Sequence, residues 1–433
     1  MNLFILTIFL LFKVGLFFIA WIGEKILPFT PRFPYSDIYL IPSGLPGWIW
    51  SFANFDGVHY LTIAKQGYSA QFTQVFFPLY PLLISIAQQI LGFFNPVVLG
   101  LFIANAFFLL SLFMLTKLLK LDYKKDTIRW ILLFLIVFPT SFYFGSIYTE
   151  SLFFFLVISA FYSARKKWWL LSGILGALAS CTRLIGIFLL PALLWEWNQH
   201  LKMKNETFPA QGWSASGRKV LDFTFSAVRS PLALIPVGLL SYMLYLQVKF
   251  GDWLYFWHAQ PVFGAQRSGA SFVLLPQVIW RYLKIFTSVS ISSGAYFISL
   301  LEFISSLFAL ILIYIAIRHK VRMSYIIFSF LVFITPTLTG TFSSMPRYIL
   351  MVFPIFIVLG MLKSRRLKSI LILVFTVILV ILTFIGLYYN RTFSVLEYPH
   401  GTYSGALFST EKLHASARRE RATRRRIPAL AGF

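Results

Sequence analysis

The stretch VVLGLFIANAFFLLSLFMLTKLLKLDYKKDTIR, residues 97–129, decides how the rest of the chain is read. Its first part, 97–119, holds a single charged residue, Lys117, near its far end. A run of this kind reaches the roughly 20 residues that a helix needs to cross a bilayer. The basic cluster 117–129 follows at once, and such clusters mark the cytoplasmic side. One crossing with a known direction gives an origin from which the other crossings can be counted.

Outward from there, the pattern repeats. Further basic groups are Arg165-Lys166-Lys167, the loop 198–229 with Lys202, Lys204, Arg218, Lys219 and Arg229, then 318–322 and 363–368. Apolar runs lie between them at 3–23, about 130–145, 147–163, two short runs within 168–197, 231–250, 294–317, 323–342, 346–362 and 370–389. The 433-residue chain is 58% apolar, above the roughly 45–50% of soluble domains. It reads as an all-α polytopic membrane protein, since a transmembrane barrel would show short alternating segments instead. Residues 3–23 are too long for a signal-peptide core and lack a small-residue cleavage site, so they read as a retained first span.

Placing every basic group inside fixes the parity. With the N-terminus inside, the first span exits outward and 97–119 returns inward. Residues 76–94 (FFPLYPLLISIAQQILGFF) then cannot cross, and they read as an interfacial helix on the outer surface. Pro78, Pro81 and the Gln88-Gln89 pair suit that role. The count is about 11 spans. Two large outer segments follow, 24–96 and 251–293, the second with an amphipathic helix around 277–286. Residues 1–390 form one transmembrane module, and 391–433 read as a basic, disordered tail on composition.

The net charge of +24, from 38 basic and 14 acidic residues, has its first explanation in this topology. Membrane lipids, anionic headgroups among them, are the neighbouring surface, and no nucleic-acid-binding motif occurs. The lone Cys181 excludes an intrachain disulfide and a CxxC metal site, and no spacing of His, Cys and acid suits zinc.

The same parity sorts the polar residues. Asp56, His59 and Tyr60 in NFDGVHY, Glu150 in FGSIYTES, Arg183 in ASCTRLIG, His258 and Gln260 in FWHAQ, and Arg347 in SSMPRYILMVFP all fall on the outer side. Ionisable groups at membrane depth need a partner, a water-filled cavity or a function. Each has two readings. Asp56 is a helix cap before GVHYLTIAKQGY or a reactive acid, and the roles are compatible. Arg183 and Arg347 snorkel to outer headgroups or clamp a phosphate with their planar forks. Glu150 is a second acid or the partner of one of these arginines. His258, flanked by aromatics, is a packed histidine or part of a site. Glu302, inside the span 294–317, is expected to hydrogen-bond to neighbouring helices.

NFDGVHYLTIAKQGYS and VFFPLYPLL together resemble the signature block of the PIG-V-type mannosyltransferases. FPTSFYFGSIYTESLFFF, GALASCTRLIGIFLLP, FGDWLYFWHAQ and SSMPRYILMVFPIF resemble that family's later blocks, in the same order, so the likeness covers about residues 50–360. It departs at Phe55, where the family pattern has Trp. The resemblance implies a GT-C-class integral-membrane glycosyltransferase with interfacial helices in the first outer loop. It implies transfer of a sugar from a polyprenyl-phosphate-linked donor to a lipid or glycan acceptor, with inversion at the anomeric carbon. Asp56 is the catalytic residue it implies. Arg347 and Arg183 would then bind the donor phosphate, and His59, Tyr60, Glu150, His258 and Gln260 would line the sugar or acceptor site. No metal and no other cofactor is expected, because arginines can meet the leaving phosphate's charge. The membrane would be the plasma membrane of a bacterium or the endoplasmic reticulum of a eukaryote, with the site on the non-cytoplasmic face. The competing class is a transporter or flippase of lipid-linked saccharides, which would spread polar residues along the midplane of several spans.

Overall fold

The structure, a computed structural model, describes residues 1–27, 40–70, 72–205, 230–263 and 272–388. Among these residues every regular element is helical. The longer helices are α1 (Asn2–Ile26), α2 (Asp56–Gln66), α3 (Leu79–Ile90), α4 (Pro96–Leu119), α5 (Lys125–Val137), α6 (Glu150–Arg165), α7 (Trp169–Thr182) and α8 (Leu189–Asn205). They continue as α9 (Ile235–Phe250), α10 (Leu275–Ser288), α11 (Gly294–Arg318), α12 (Met323–Thr337), α13 (Pro354–Met361) and α14 (Arg365–Tyr388). The tail 391–433 and most of the loop 198–229 lie outside the described residues.

Local chemistry sets the ends. At α4, Pro96 occupies the first turn and the Asn95 side chain accepts from Val97 N at 2.9 Å, which satisfies an orphan donor. At α11, Ser293 accepts from Tyr296 N at 3.2 Å in the same way. Helix α9 stops at Gly251, whose φ of +76° suits glycine.

Five stretches are helical, long and apolar enough to cross a membrane: α1, α4, Pro231–Phe250 with α9 at its core, α11, and α14 as far as Leu387. The remaining expected crossings are shorter than the apolar runs that suggested them. The run 130–145 is helical only to Val137, then turns through a 3-10 segment at Ser141–Gly145. Helix α12 stops at Thr337, one residue after Pro336, rather than at 342. The run 346–362 breaks into a single turn at Met345–Tyr348, a 3-10 turn at Ile349–Met351, and the 8-residue α13. The two short runs expected within 168–197 correspond to α7 and α8, separated by a 3-10 segment, Leu184–Phe188. Helix α3 has 12 residues, about 18 Å at 1.5 Å per residue, which falls short of a hydrocarbon core of about 30 Å.

These breaks have a common direction. Helices α6, α7, α8 and α12 each have one end at the interrupted segments 138–149, 183–188 and 338–353. Their other ends carry the basic groups. There Arg165 forks onto Asp122 at 2.6 and 2.9 Å and bonds Tyr325, while Arg322 and Ser324 both bond Glu196. The bundle therefore has a basic end and an interrupted end. Non-helical backbone deep in such a bundle is tolerable when protein surrounds it or it borders a polar cavity.

Small residues let the helices approach. A Cβ on Gly238 of α9 would lie 1.9 Å from the Ala177 carbonyl oxygen of α7, so only glycine fits that crossing. The apolar core runs continuously from Ile5 in α1 to Leu387 in α14.

Candidate active site

Asp56 is the first residue of α2, immediately after Phe55. Phe55 has φ of +59°, a left-handed backbone that costs a non-glycine residue energy and recurs at functional sites. The preceding turn is anchored from three directions. Tyr148 donates to Asn54 O at 2.9 Å, Asn54 donates to Leu387 O at 2.8 Å, and Ile147 N donates to Phe52 O at 2.9 Å. A Cβ on Gly57 would sit 3.2 Å from Ile147 O, so glycine lets α2 lie close against the 138–149 segment. The α2 helix start also places its positive dipole end beside the carboxylate.

Arg347, 291 residues further on, donates through Nη1 to Asp56 Oδ2 at 2.5 Å. Its Nε lies 3.3 Å from Glu150 Oε1, and Arg183 Nη1 donates to that same Oε1 at 2.6 Å. Two acids and two arginines from four distant parts of the chain thus form one chain of ion pairs, Asp56–Arg347–Glu150–Arg183. The tyrosine rings of Tyr143, Tyr148 and Tyr348 surround Arg347 with its guanidinium carbon 5.5, 5.4 and 5.6 Å from their centres. Tyr348 also faces Arg183 at 5.1 Å. Such faces stabilise a cation while leaving its N–H groups for hydrogen bonding.

The two acids differ in access. The Glu150 side chain is 1% exposed, and its Oε2 has no hydrogen-bond partner among the described residues. Asp56 is 25% exposed and is the more accessible carboxylate. All four groups line a cavity of about 430 Å³. His59, Tyr60 and Gln260 line it too, together with Phe55, Phe76, Trp257, Ser343 and Ser344. His59 stacks on Phe76 with ring centres 4.8 Å apart. Burial brings its pKa down to about 4, against the opposing pull of the Asp56 charge. Burial, reinforced by Asp56 and Glu150, pushes the Tyr60 phenol well above its ordinary value. Both therefore stand neutral in the site at pH 7, a histidine and a tyrosine suited to hydrogen bonding rather than to carrying charge.

Seven of the eight residues singled out in the sequence thus border one cavity. His258 is not among its lining residues. It is 53% exposed, and its Nδ1 lies 2.8 Å from Asp252 Oδ2, so a local hydrogen bond explains its position. Glu302 bonds to neighbouring elements, accepting from Tyr282 and from Ser344 N. The tyrosines around Arg347 escaped the sequence reading. Their signal was the doubled tyrosine in SFYFGSIYTE and the Tyr directly after Arg347, which resemble ordinary aromatic packing when read locally. Among the described residues no group of three or more His, Cys, Asp and Glu is placed to hold a metal ion.

With this geometry in hand, residues 5–205 match the family model described as Mannosyltransferase (PIG-V). No curated protein and no solved structure matches the chain. The resemblance stated from the motifs is borne out over that stretch, which contains Asp56, His59, Tyr60, Glu150 and Arg183. Gln260 and Arg347 lie beyond it and join the site through the fold. The family match over residues 5–205 and the long apolar helices are consistent with a membrane glycosyltransferase.

Proposed function

We propose that the protein is a GT-C-class mannosyltransferase, which moves a sugar from a polyprenyl-phosphate-linked donor to a lipid or glycan acceptor with inversion. The observation that carries this is the ion-pair chain at the cavity, in which the accessible acid Asp56 is held by the aromatic-flanked Arg347. The family match supports the transferase class and the mannosyl group.

The chemistry follows from what each group can do. Inversion needs a base on the face of the sugar opposite the leaving phosphate, to take the acceptor hydroxyl proton as the new bond forms. Asp56 is that base, because Glu150 is nearly inaccessible and its Oε1 already meets two guanidinium groups. The departing lipid phosphate gains charge as the glycosidic bond breaks, and Arg347 and Arg183 meet that charge. A carboxylate paired with a guanidinium is a weak base. Donor phosphate competes with Asp56 for Arg347, so arrival of the leaving group frees the base. Glu150 stays behind as the counter-charge that keeps both arginines near the cavity. His59, Tyr60 and Gln260 supply hydrogen bonds to the sugar or acceptor. This scheme requires no metal, since permanent cations already stand where charge develops.

The basic groups gather at the end of the bundle away from the cavity, which supports a site on the non-cytoplasmic face. It also supports an outer, interfacial location for α3. About 11 crossings then need the short helices α5 to α8, α12 and α13 to cross together with the 3-10 and irregular segments beside them, in addition to the five long helices. A flippase would want polar groups spread along the midplane, and no observation favours it here.

The test is radiolabelled sugar transfer by the purified protein in detergent from a polyprenyl-phosphate mannose. The wild type transfers label to acceptor, and Asp56→Asn at normal membrane expression loses transfer. Wild-type transfer by Asp56→Asn would overturn the assignment.

A further inference from the structure

Glu302 is an acid within the 25-residue apolar helix α11, where a carboxylate is costly. Its contacts show what it holds. Tyr282 of α10 donates to Glu302 Oε2 at 2.5 Å, and Ser344 N donates to Glu302 Oε1 at 3.3 Å. The Tyr282 oxygen also accepts from Phe342 N at 3.0 Å and lies 3.2 Å from Thr341 Oγ1. Two more bonds bind the same loop to α10 and its approach: Arg281 Nη1 to Gly340 O at 3.0 Å, and Val273 N to Leu338 O at 2.9 Å.

The loop 338–344 delivers Arg347. Ser344 stands at φ of +65°, a left-handed backbone that a serine keeps only when its surroundings impose it. Its carbonyl accepts from Arg347 N at 3.0 Å and starts the single helical turn Met345–Tyr348. On the far side of that turn Thr140 donates to Pro346 O at 2.6 Å. The backbone of the arginine is therefore suspended between α10–α11 and the 138–149 segment.

We infer that Glu302 and Tyr282 are positioning residues for Arg347, which set the place of its guanidinium in the cavity by holding the Ser344 turn to α10. The inference rests on the phosphate-binding role proposed for Arg347. Helix α10 suits the task as a reference for depth. It buries Val278 and Tyr282 and leaves Trp280 and Leu283 exposed, with Lys284 Nζ over the Trp280 ring at 5.6 Å. An aromatic and a lysine on one exposed face settle a helix at the headgroup level, where the donor phosphate also lies. The carboxylate in α11 thus links the height of the arginine to the height of the lipid phosphate.

The test measures retention of polyprenyl phosphate, the leaving lipid, by the full-length protein in detergent. Tyr282→Phe and Glu302→Ala each weaken binding about tenfold, the scale of a lost charge-assisted hydrogen bond. Glu302→Gln recovers most of the loss, because its amide oxygen still accepts from Ser344 N. In an Arg347→Ala background the same two substitutions add less than about twofold, since non-additivity is the signature of action through one residue. Equal losses in both backgrounds would show an effect on the fold alone and overturn the inference. So would unchanged binding by Tyr282→Phe and Glu302→Ala while Arg347→Ala binds weakly. If Arg347→Ala itself binds polyprenyl phosphate like the wild type, the phosphate role of Arg347 falls, and the inference falls with it.

Discussion

Replacing Glu150 by Gln removes one charge and almost no volume from the most buried point of the ion-pair chain. At an effective dielectric constant of about 20, unit charges at the observed 2.6 and 3.3 Å would attract by about 6 and about 5 kcal/mol. Desolvation of the groups offsets much of that gain, so the intact pairs contribute little net stability. Removing one partner is different, because the stranded charge keeps its desolvation cost. Breaking a buried pair in this way costs about 3–5 kcal/mol. Arg347 retains Asp56, whereas Arg183 loses the only ion pair the structure gives it among the described residues. The expected loss is therefore at the lower bound, about 3 kcal/mol. The assay is the fraction of detergent-solubilised protein that remains monodisperse after heating, with the midpoint lowered by several degrees in Glu150→Gln. Adding Arg183→Met to that variant removes the stranded charge and restores most of the midpoint. A Glu150→Gln protein as heat-resistant as the wild type, or a double variant weaker than both singles, would refute the reasoning.

Three further outcomes follow from the same geometry. Arg347→Lys keeps a positive charge but cannot fork between Asp56 and Glu150, so transfer falls by about tenfold or more and Arg347→Ala falls further; equal rates for Lys and Arg at 347 would make the bidentate geometry irrelevant. Because burial holds the folded His59 near pKa 4, below the unfolded value of about 6.5, the unfolded chain binds the extra proton first as pH falls. Stability is full above pH of about 6.5 and declines by up to roughly 3 kcal/mol towards pH 4, and His59→Phe flattens that part of the heat-resistance profile against pH. Gly238→Val drives side-chain atoms into the Ala177 carbonyl and yields aggregated protein on size exclusion. Gly15→Ala, with nothing within 4 Å of the added carbon, elutes like the wild type.

Much of this fold is legible in the chain because long apolar runs leave few alternatives. The expected crossings 3–23, 97–119, 231–250 and 294–317 correspond to α1, α4, the Pro231–Phe250 stretch and α11 within a few residues, each long and apolar enough to cross. The interruptions were not legible at their true positions. Residues 138–149 and 338–353 lie within or beside the apolar runs 130–145, 147–163, 323–342 and 346–362, and hydropathy does not register whether buried backbone is helical. Pro139 and Pro336 hint at the breaks, but a proline also occurs inside helices that continue. The site was legible in part for a different reason. In a membrane chain an ionisable residue has few neutral explanations, so Asp56, Glu150, Arg183 and Arg347 stood out singly. Their pairing did not, because Arg347 reaches Asp56 across 291 residues and only the packed bundle joins them. Asp56 itself starts α2 rather than preceding it, so the carboxylate serves the arginine while the dipole of the helix supports it. His258 is the converse case, a polar residue near the motifs whose contact in the fold is with Asp252 and which does not line the cavity.

The central claim is that the arginines of this cavity hold a lipid-linked donor's phosphate with Asp56 on the opposite side of the sugar. A density map of the Asp56→Asn protein with polyprenyl-phosphate mannose bound tests it most directly. The account predicts the phosphate within hydrogen-bond distance of Arg347 or Arg183, and the residue 56 side chain facing the anomeric carbon from the other face. Donor density with its phosphate away from both arginines, or with residue 56 on the phosphate side, would contradict it.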